Sequence, residues 1–222
     1  MSIKIIKSPK TRISEVDFNN LSFGKEISDH VFIAEFDGQN WVNARIQPFE
    51  PIALNLSFSA LHYGQSIFEG LKAYRDINNQ IQIFRPHENF KRMNKSAQRM
   101  CMQEIPQEIF FTGLNELCKI DNKWISEIPG NSYYLRPLLF ATDESLGVHS
   151  SQKYVFTIFG CAVGAYYSQA LRIKVETGAY AYFAVGYYCK YIAEVVGEGV
   201  RFYLGSFVHL YSGFSITNLY FL

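Results

Sequence analysis

The chain has few of the features that would tie it to a metal, a disulfide scaffold or a polyanion. Its four cysteines, Cys101, Cys118, Cys161 and Cys189, lie far apart and include no Cys-x-x-Cys spacing. That excludes a zinc knuckle and a dithiol redox pair, and reduced, mostly buried thiols are expected. An excess of one charge is also missing: 21 Lys+Arg stand against 20 Asp+Glu, a formal net charge of +1, with the basic residues spread along the chain. Neither nucleic acid nor anionic lipid is an expected partner. No GxSxG elbow, HExxH pair or P-loop occurs, and there is no internal repeat or low-complexity linker. Phe202 to Leu222 lacks charge and is long enough to span a bilayer, but His209, Thr217, Asn218 and several serines and glycines dilute it, so no membrane segment is expected. Lys4 and Lys7 interrupt the apolar patch of the first ten residues. No signal-peptide hydrophobic region is read there, and a cytoplasmic location is expected.

What is present fits a packed enzyme. With 222 residues, 48% of them hydrophobic and 18% charged, the chain can bury a core without disulfides or metal, and a disordered or fibrous class is excluded. His30–Phe36 is rich in β-formers, Asp37-Gly38-Gln39-Asn40 carries a turn signal, and Trp41–Gln47 alternates with period two. These predict a hairpin. Ile81–Phe84 reads as a short strand stopped by Arg85-Pro86, and Pro86 suits the first turn of a helix running to about Met100. Phe90, Met93, Ala97 and Met100 give that helix one apolar face. A second helix is expected from about Pro106 to Asp121. Strand character returns at Ser132–Phe140 and Tyr154–Phe159, and again at Leu171–Thr177. The expected fold is α+β, a mostly antiparallel sheet with two helices over residues 1–164. A loop at 165–170 and a second domain at 171–222 would follow.

A series of short strings then falls in order: Phe23-Gly24, Ser28-Asp29-His30, His62-Tyr63-Gly64, Phe68-Glu69-Gly70-Leu71-Lys72-Ala73-Tyr74, Phe84-Arg85-Pro86, Asn89-Phe90-Lys91-Arg92-Met93, Tyr134-Leu135-Arg136-Pro137, Ser145-Leu146-Gly147-Val148 and Val163-Gly164-Ala165-Tyr166. Together they resemble the branched-chain amino-acid aminotransferases, pyridoxal-phosphate enzymes of fold-type IV, over about residues 15 to 177. The resemblance implies the small domain of that fold followed by part of a larger α/β domain. It also implies pyridoxal 5'-phosphate as cofactor and transfer of the amino group of Leu, Ile or Val to 2-oxoglutarate.

By the same resemblance Arg92, on the helix after Arg85-Pro86, grips the cofactor phosphate, a dianion suited to a forked donor. Taken alone, it is an ordinary helix arginine. Phe23, Tyr63, Phe68, Tyr134, Arg136 and Tyr166 resemble the substrate pocket, whose aromatic walls take an aliphatic side chain while polar tips orient the α-carboxylate. Read singly, the aromatics are core residues, but an arginine within an apolar strand needs a partner. Leu146 and Val148 resemble a loop that reaches into a neighbouring subunit, which implies a homodimer.

The resemblance breaks after Gly178. The family places its Schiff-base lysine in a glycine-rich run ending in Gly-Asn-Tyr, and here Gly178–Glu194 lacks both features. One alignment makes Lys190 the catalytic amine. The other skips a few dozen family residues and makes Glu194 the carboxylate beside the pyridine nitrogen, which keeps that nitrogen protonated. The two alignments exclude each other. Rivals are a D-amino-acid aminotransferase or aminodeoxychorismate lyase of the same fold, and a silent dimerisation module.

Overall fold

The computed structural model describes residues 3–165. The expected strand at Leu171–Thr177, the second domain, Cys189 and the candidates Tyr166, Lys190 and Glu194 lie outside the described residues. Eight strands form one sheet: β1 (Lys4–Ile5), β2 (Glu26–Phe36), β3 (Trp41–Pro48), β4 (Ser66–Phe68), β5 (Leu71–Arg75), β6 (Ile81–Ile83), β7 (Ser132–Ala141) and β8 (Tyr154–Val163). Their order is β1-β3-β2-β8-β7-β5-β6, with β4 also paired to β7. Among the described residues only the β1–β3 pair is parallel, so the mostly antiparallel sheet expected from the sequence forms. The helices are α1 (Ser59–Tyr63), α2 (Pro86–Arg99) and α3 (Gln107–Ile120). The last two were expected. The five-residue α1 was not, because it is too short to show a helical period.

The β2–β3 hairpin closes where the sequence places it. The Asp37 carboxylate accepts the Gln39 and Asn40 amides, both at 2.8 Å, and Gly38 takes a left-handed φ of 104° that a side chain would resist. Pro86 opens α2, where its missing N–H leaves no helical bond unmade. Met93 and Ala97 are fully buried, while Phe90 and Met100 are partly so, giving the apolar stripe that the spacing predicts.

Residues on β7 alternate strictly from Leu135 onward. Leu135, Leu139 and Ala141 are fully covered and join the core under α2 and α3, whereas Tyr134, Arg136, Leu138 and Phe140 are half-buried. Because side chains alternate across a strand, these four share the face of the sheet turned away from that core.

Candidate active site

The site is built where the ladder between β7 and its neighbours is interrupted. β4 pairs with β7 up to Phe68↔Leu138, and β5 resumes at Leu71↔Leu135. Opposite the gap lie Arg136 and Pro137. Pro137 has no N–H to offer, and its carbonyl takes the Glu69 N–H at 2.9 Å. Proline in a strand marks such a break, and the two released residues, Glu69 and Gly70, turn the chain between β4 and β5.

Glu69 is 2% exposed, and a carboxylate so covered requires compensation. Arg92 supplies it with a two-toothed contact, Nε to Oε1 at 3.0 Å and Nη2 to Oε2 at 2.8 Å. Asn89, one helical turn earlier, donates Nδ2 to Glu69 Oε2 at 2.8 Å and to the Gly70 carbonyl at 3.1 Å. Residues three apart on a helix share a face, so α2 meets the turn with both side chains at once. The Arg92 side chain stays 41% exposed, and Nη1 is not engaged by Glu69.

On the open face, the Arg136 guanidinium carbon stands 4.1 Å from the centroid of the Phe68 ring and 5.3 Å from that of Tyr134. Its Nε donates to Tyr134 Oη at 3.1 Å. Among the described residues no carboxylate pairs with it; aromatic faces hold the cation instead. Phe23 meets Tyr134 edge-on with centroids 5.1 Å apart. Burial pushes the Tyr134 hydroxyl above its usual range, the Arg136 charge and hydrogen bond oppose this, and Cys161 and Glu69 add to the rise. Tyr134 therefore feels both Arg136 and the Glu69 carboxylate. It sits tightly: a Cβ at Gly70 would lie 2.5 Å from the Tyr134 oxygen.

Phe23, Phe68, Tyr134 and Arg136 are thus brought together, and Arg92 is joined to them through the Glu69-Gly70 turn. Tyr63 belongs to a second group. Its hydroxyl donates to the Leu146 carbonyl, tying α1 to the loop between β7 and β8. That loop is closed at its base by the Asp143 carboxylate, which accepts the Gln152 and Lys153 amides at 3.0 and 2.7 Å. Its tip projects, with Leu146 67% and Val148 84% exposed. Neither Glu69 nor Asn89 stands out as a site residue in the sequence. A glutamate between Phe68 and Gly70 needs a partner as much as an arginine in an apolar strand does, and Asn89 and Arg92 carry the helical spacing that would have supplied it.

Among the described residues no cluster of His, Cys, Asp or Glu could hold a metal ion, and no helix is long and apolar enough to cross a membrane. Cys101, Cys118 and Cys161 are free thiols, as expected, but Cys101 is exposed rather than buried. It follows the end of α2 with a left-handed φ of 53°, which carries it off the apolar face.

No protein-family model matches the chain. It is 38% identical over 180 residues to branched-chain-amino-acid transaminase 1 of Bacillus subtilis, covering 78% of this chain and 51% of that protein. It is 41% identical over 165 residues to a probable branched-chain-amino-acid aminotransferase of Staphylococcus epidermidis, covering 72% and 46%. Among solved structures, the branched-chain amino acid aminotransferase from Escherichia coli superposes with a TM-score of 0.51 at 21% identity, over 77% of this chain and 54% of that one. That likeness shows a shared fold. The chain spans about half the length of the curated relatives it matches.

Proposed function

Since the chain belongs, over the stretch it shares with these relatives, to the branched-chain-amino-acid aminotransferase family, we propose that it binds pyridoxal 5'-phosphate and transfers the amino group of Leu, Ile or Val to 2-oxoglutarate. The observation that carries this reading is the Arg136 guanidinium, held over Phe68 and Tyr134 with no carboxylate beside it among the described residues. A cation so placed offers its donors to a substrate α-carboxylate, while Phe23, Phe68 and Tyr134 give an aliphatic side chain an apolar wall. Such a wall separates side chains by only about 1–3 kcal/mol per methylene, so its shape must set the preference.

The residues present fit the cofactor's phosphate. Arg92 is a half-exposed fork donor with Nη1 outside its contact with Glu69, and guanidinium suits a dianion. When bound, pyridoxal phosphate supplies an electron sink for the bonds at the substrate α-carbon. Lys190 is assigned the amine that holds the cofactor's aldehyde carbon and moves the α-proton. The competing alignment gives Glu194 the place beside the ring nitrogen, and Tyr166 completes the pocket; all three lie outside the described residues. A homodimer and a cytoplasmic location belong to the same proposal. Support for the dimer is the projecting loop, whose apolar Leu146 and Val148 have solvent for a neighbour.

The test is borohydride reduction of the 222-residue protein loaded with pyridoxal phosphate, followed by peptide mapping. A pyridoxyl group on the Lys190 peptide, lost together with transamination in Lys190→Ala, is expected. A label elsewhere would move the assignment to the second alignment. A protein that binds no pyridoxal phosphate would refute the enzyme reading.

A further inference from the structure

We propose that Glu69 is a positioning residue for the cofactor phosphate, holding the Arg92 guanidinium in an orientation that leaves its outer edge free for the anion. This rests on the reading of Arg92 as the phosphate ligand. The Glu69 carboxylate is 2% exposed and its donors all come from α2 and the β4–β5 turn: Arg92 Nε and Nη2, Asn89 Nδ2 and, at 3.4 Å, the Gly70 amide. Two oxygens bound to two nitrogens of a planar fork fix the plane of the guanidinium as well as its position. Arginine otherwise carries large rotamer freedom. A side chain already immobilised loses less when its ligand arrives, which is the benefit of preorganisation.

The same carboxylate also offsets part of the positive charge that attracts an anion, so two effects of opposite sign compete. If charge dominated, neutralising Glu69 at constant shape would tighten phosphate binding. If orientation dominates, it loosens binding. The geometry favours orientation: Glu69→Gln turns an N–H₂ toward one guanidinium nitrogen, so one tooth of the fork is replaced by two donors facing each other. Asn89 adds to this hold. Its single amide group grips both Glu69 and the Gly70 carbonyl, so the helix bearing Arg92 and the turn beneath Tyr134 are registered by one side chain.

The experiment measures dissociation constants of pyridoxal 5'-phosphate and of pyridoxal, which lacks the phosphate, by equilibrium dialysis for the wild-type chain, Glu69→Gln, Arg92→Lys and the double variant. Loss of folding weakens both ligands alike; loss of phosphate positioning weakens only the ester. Glu69→Gln is expected to weaken the ester roughly tenfold, the scale of one charge-assisted hydrogen bond, and to leave pyridoxal unchanged. In the Arg92→Lys background it should add almost nothing, because no fork remains to be held. Tighter or unaltered ester binding in Glu69→Gln, or a full additional loss in the double variant, overturns the positioning role alone. Wild-type protein that binds the ester no better than pyridoxal, or Arg92→Lys without loss of that preference, overturns the phosphate reading and the positioning role with it. Should Glu69→Gln fail to fold, Asn89→Ala takes its place: a loss confined to the ester supports the proposal, and equal constants overturn it.

Discussion

A carboxylate as covered as Glu69 is tolerable only while Arg92 stays beside it. Arg92→Ala strands that charge, and stability should fall by about 3 kcal/mol, the lower end for a broken buried pair because the guanidinium itself is half-exposed. Adding Glu69→Gln removes the stranded charge and should recover at least half of the loss. Urea unfolding of the single and double variants measures both, and equal stabilities would contradict the account. The thiols divide just as sharply. Burial pushes the Cys118 thiol up to about 12, with the nearby Asp121 charge adding to the effect; burial also raises Cys161, against a backbone bond from Gly24 and the Arg136 charge. Thiolate is the reactive form. At about pH 8, near the ordinary thiol value, a thiol reagent should therefore label exposed Cys101 before the other two described thiols, with Cys118 and Cys161 reacting only on unfolding; rapid native labelling of Cys118 would refute the packing around α3.

Among the elements, α3 lies against β2 through Gly113. A Cβ there would come within 2.6 Å of the Phe32 ring, and Phe32 is fully buried. Gly→Ala inside a helix gains up to about 1 kcal/mol from propensity, while forcing a methyl into a filled core costs about 1–3 kcal/mol. Gly113→Ala is expected to destabilise by a net of about 0–2 kcal/mol on that balance, read as a lower urea midpoint; a more stable variant would show that α3 can move.

The segment before β2 is held differently. Burial pushes the Asp29 carboxyl up, but bonds from Thr11, the Arg12 amide and Trp124, with the Arg12 charge, outweigh it and keep it below its ordinary 3.8. A carboxyl depressed on folding contributes stability above its unfolded value and loses it as pH falls through the folded one. The acid limb of the stability curve should thus steepen below about pH 4 and flatten in Asp29→Asn.

The hairpin, α2, α3, β7 and β8 were legible because each carries its own period or stop signal, and the Arg92 and Arg136 strings marked where the site would be found. β1, β4, β5 and α1 were not, being two to five residues long, shorter than any period needs. Glu69 was hidden for another reason: its partner lies 23 positions away, and only the break at Pro137 brings them together.

For the whole molecule, the projecting loop makes the proposed dimer testable. Replacing Leu146 and Val148 together by Glu should convert a dimer to monomers in sedimentation velocity while leaving unfolding, compared at concentrations where the wild-type chain is also dissociated, within about 0.5 kcal/mol, since neither side chain belongs to the core. Unaltered sedimentation would place any subunit contact elsewhere.

The position of β8 has a further consequence, one of timing. It is the last described strand to be made, yet it lies between β2 and β7. The pair Glu26↔Ala162 closes across 136 residues, and the chain emerges from the ribosome at about 5–20 residues per second. The 22 residues from Ala141 to Val163 then take about 1–4 s, during which β1-β3-β2 and β7-β5-β6, with β4 on the β5 side of β7, are expected as two half-sheets with open inner edges. A nascent chain arrested at Ser150 should bind holdase chaperones and resist refolding, whereas one extended past Val163, with β8 free to enter, can join the halves.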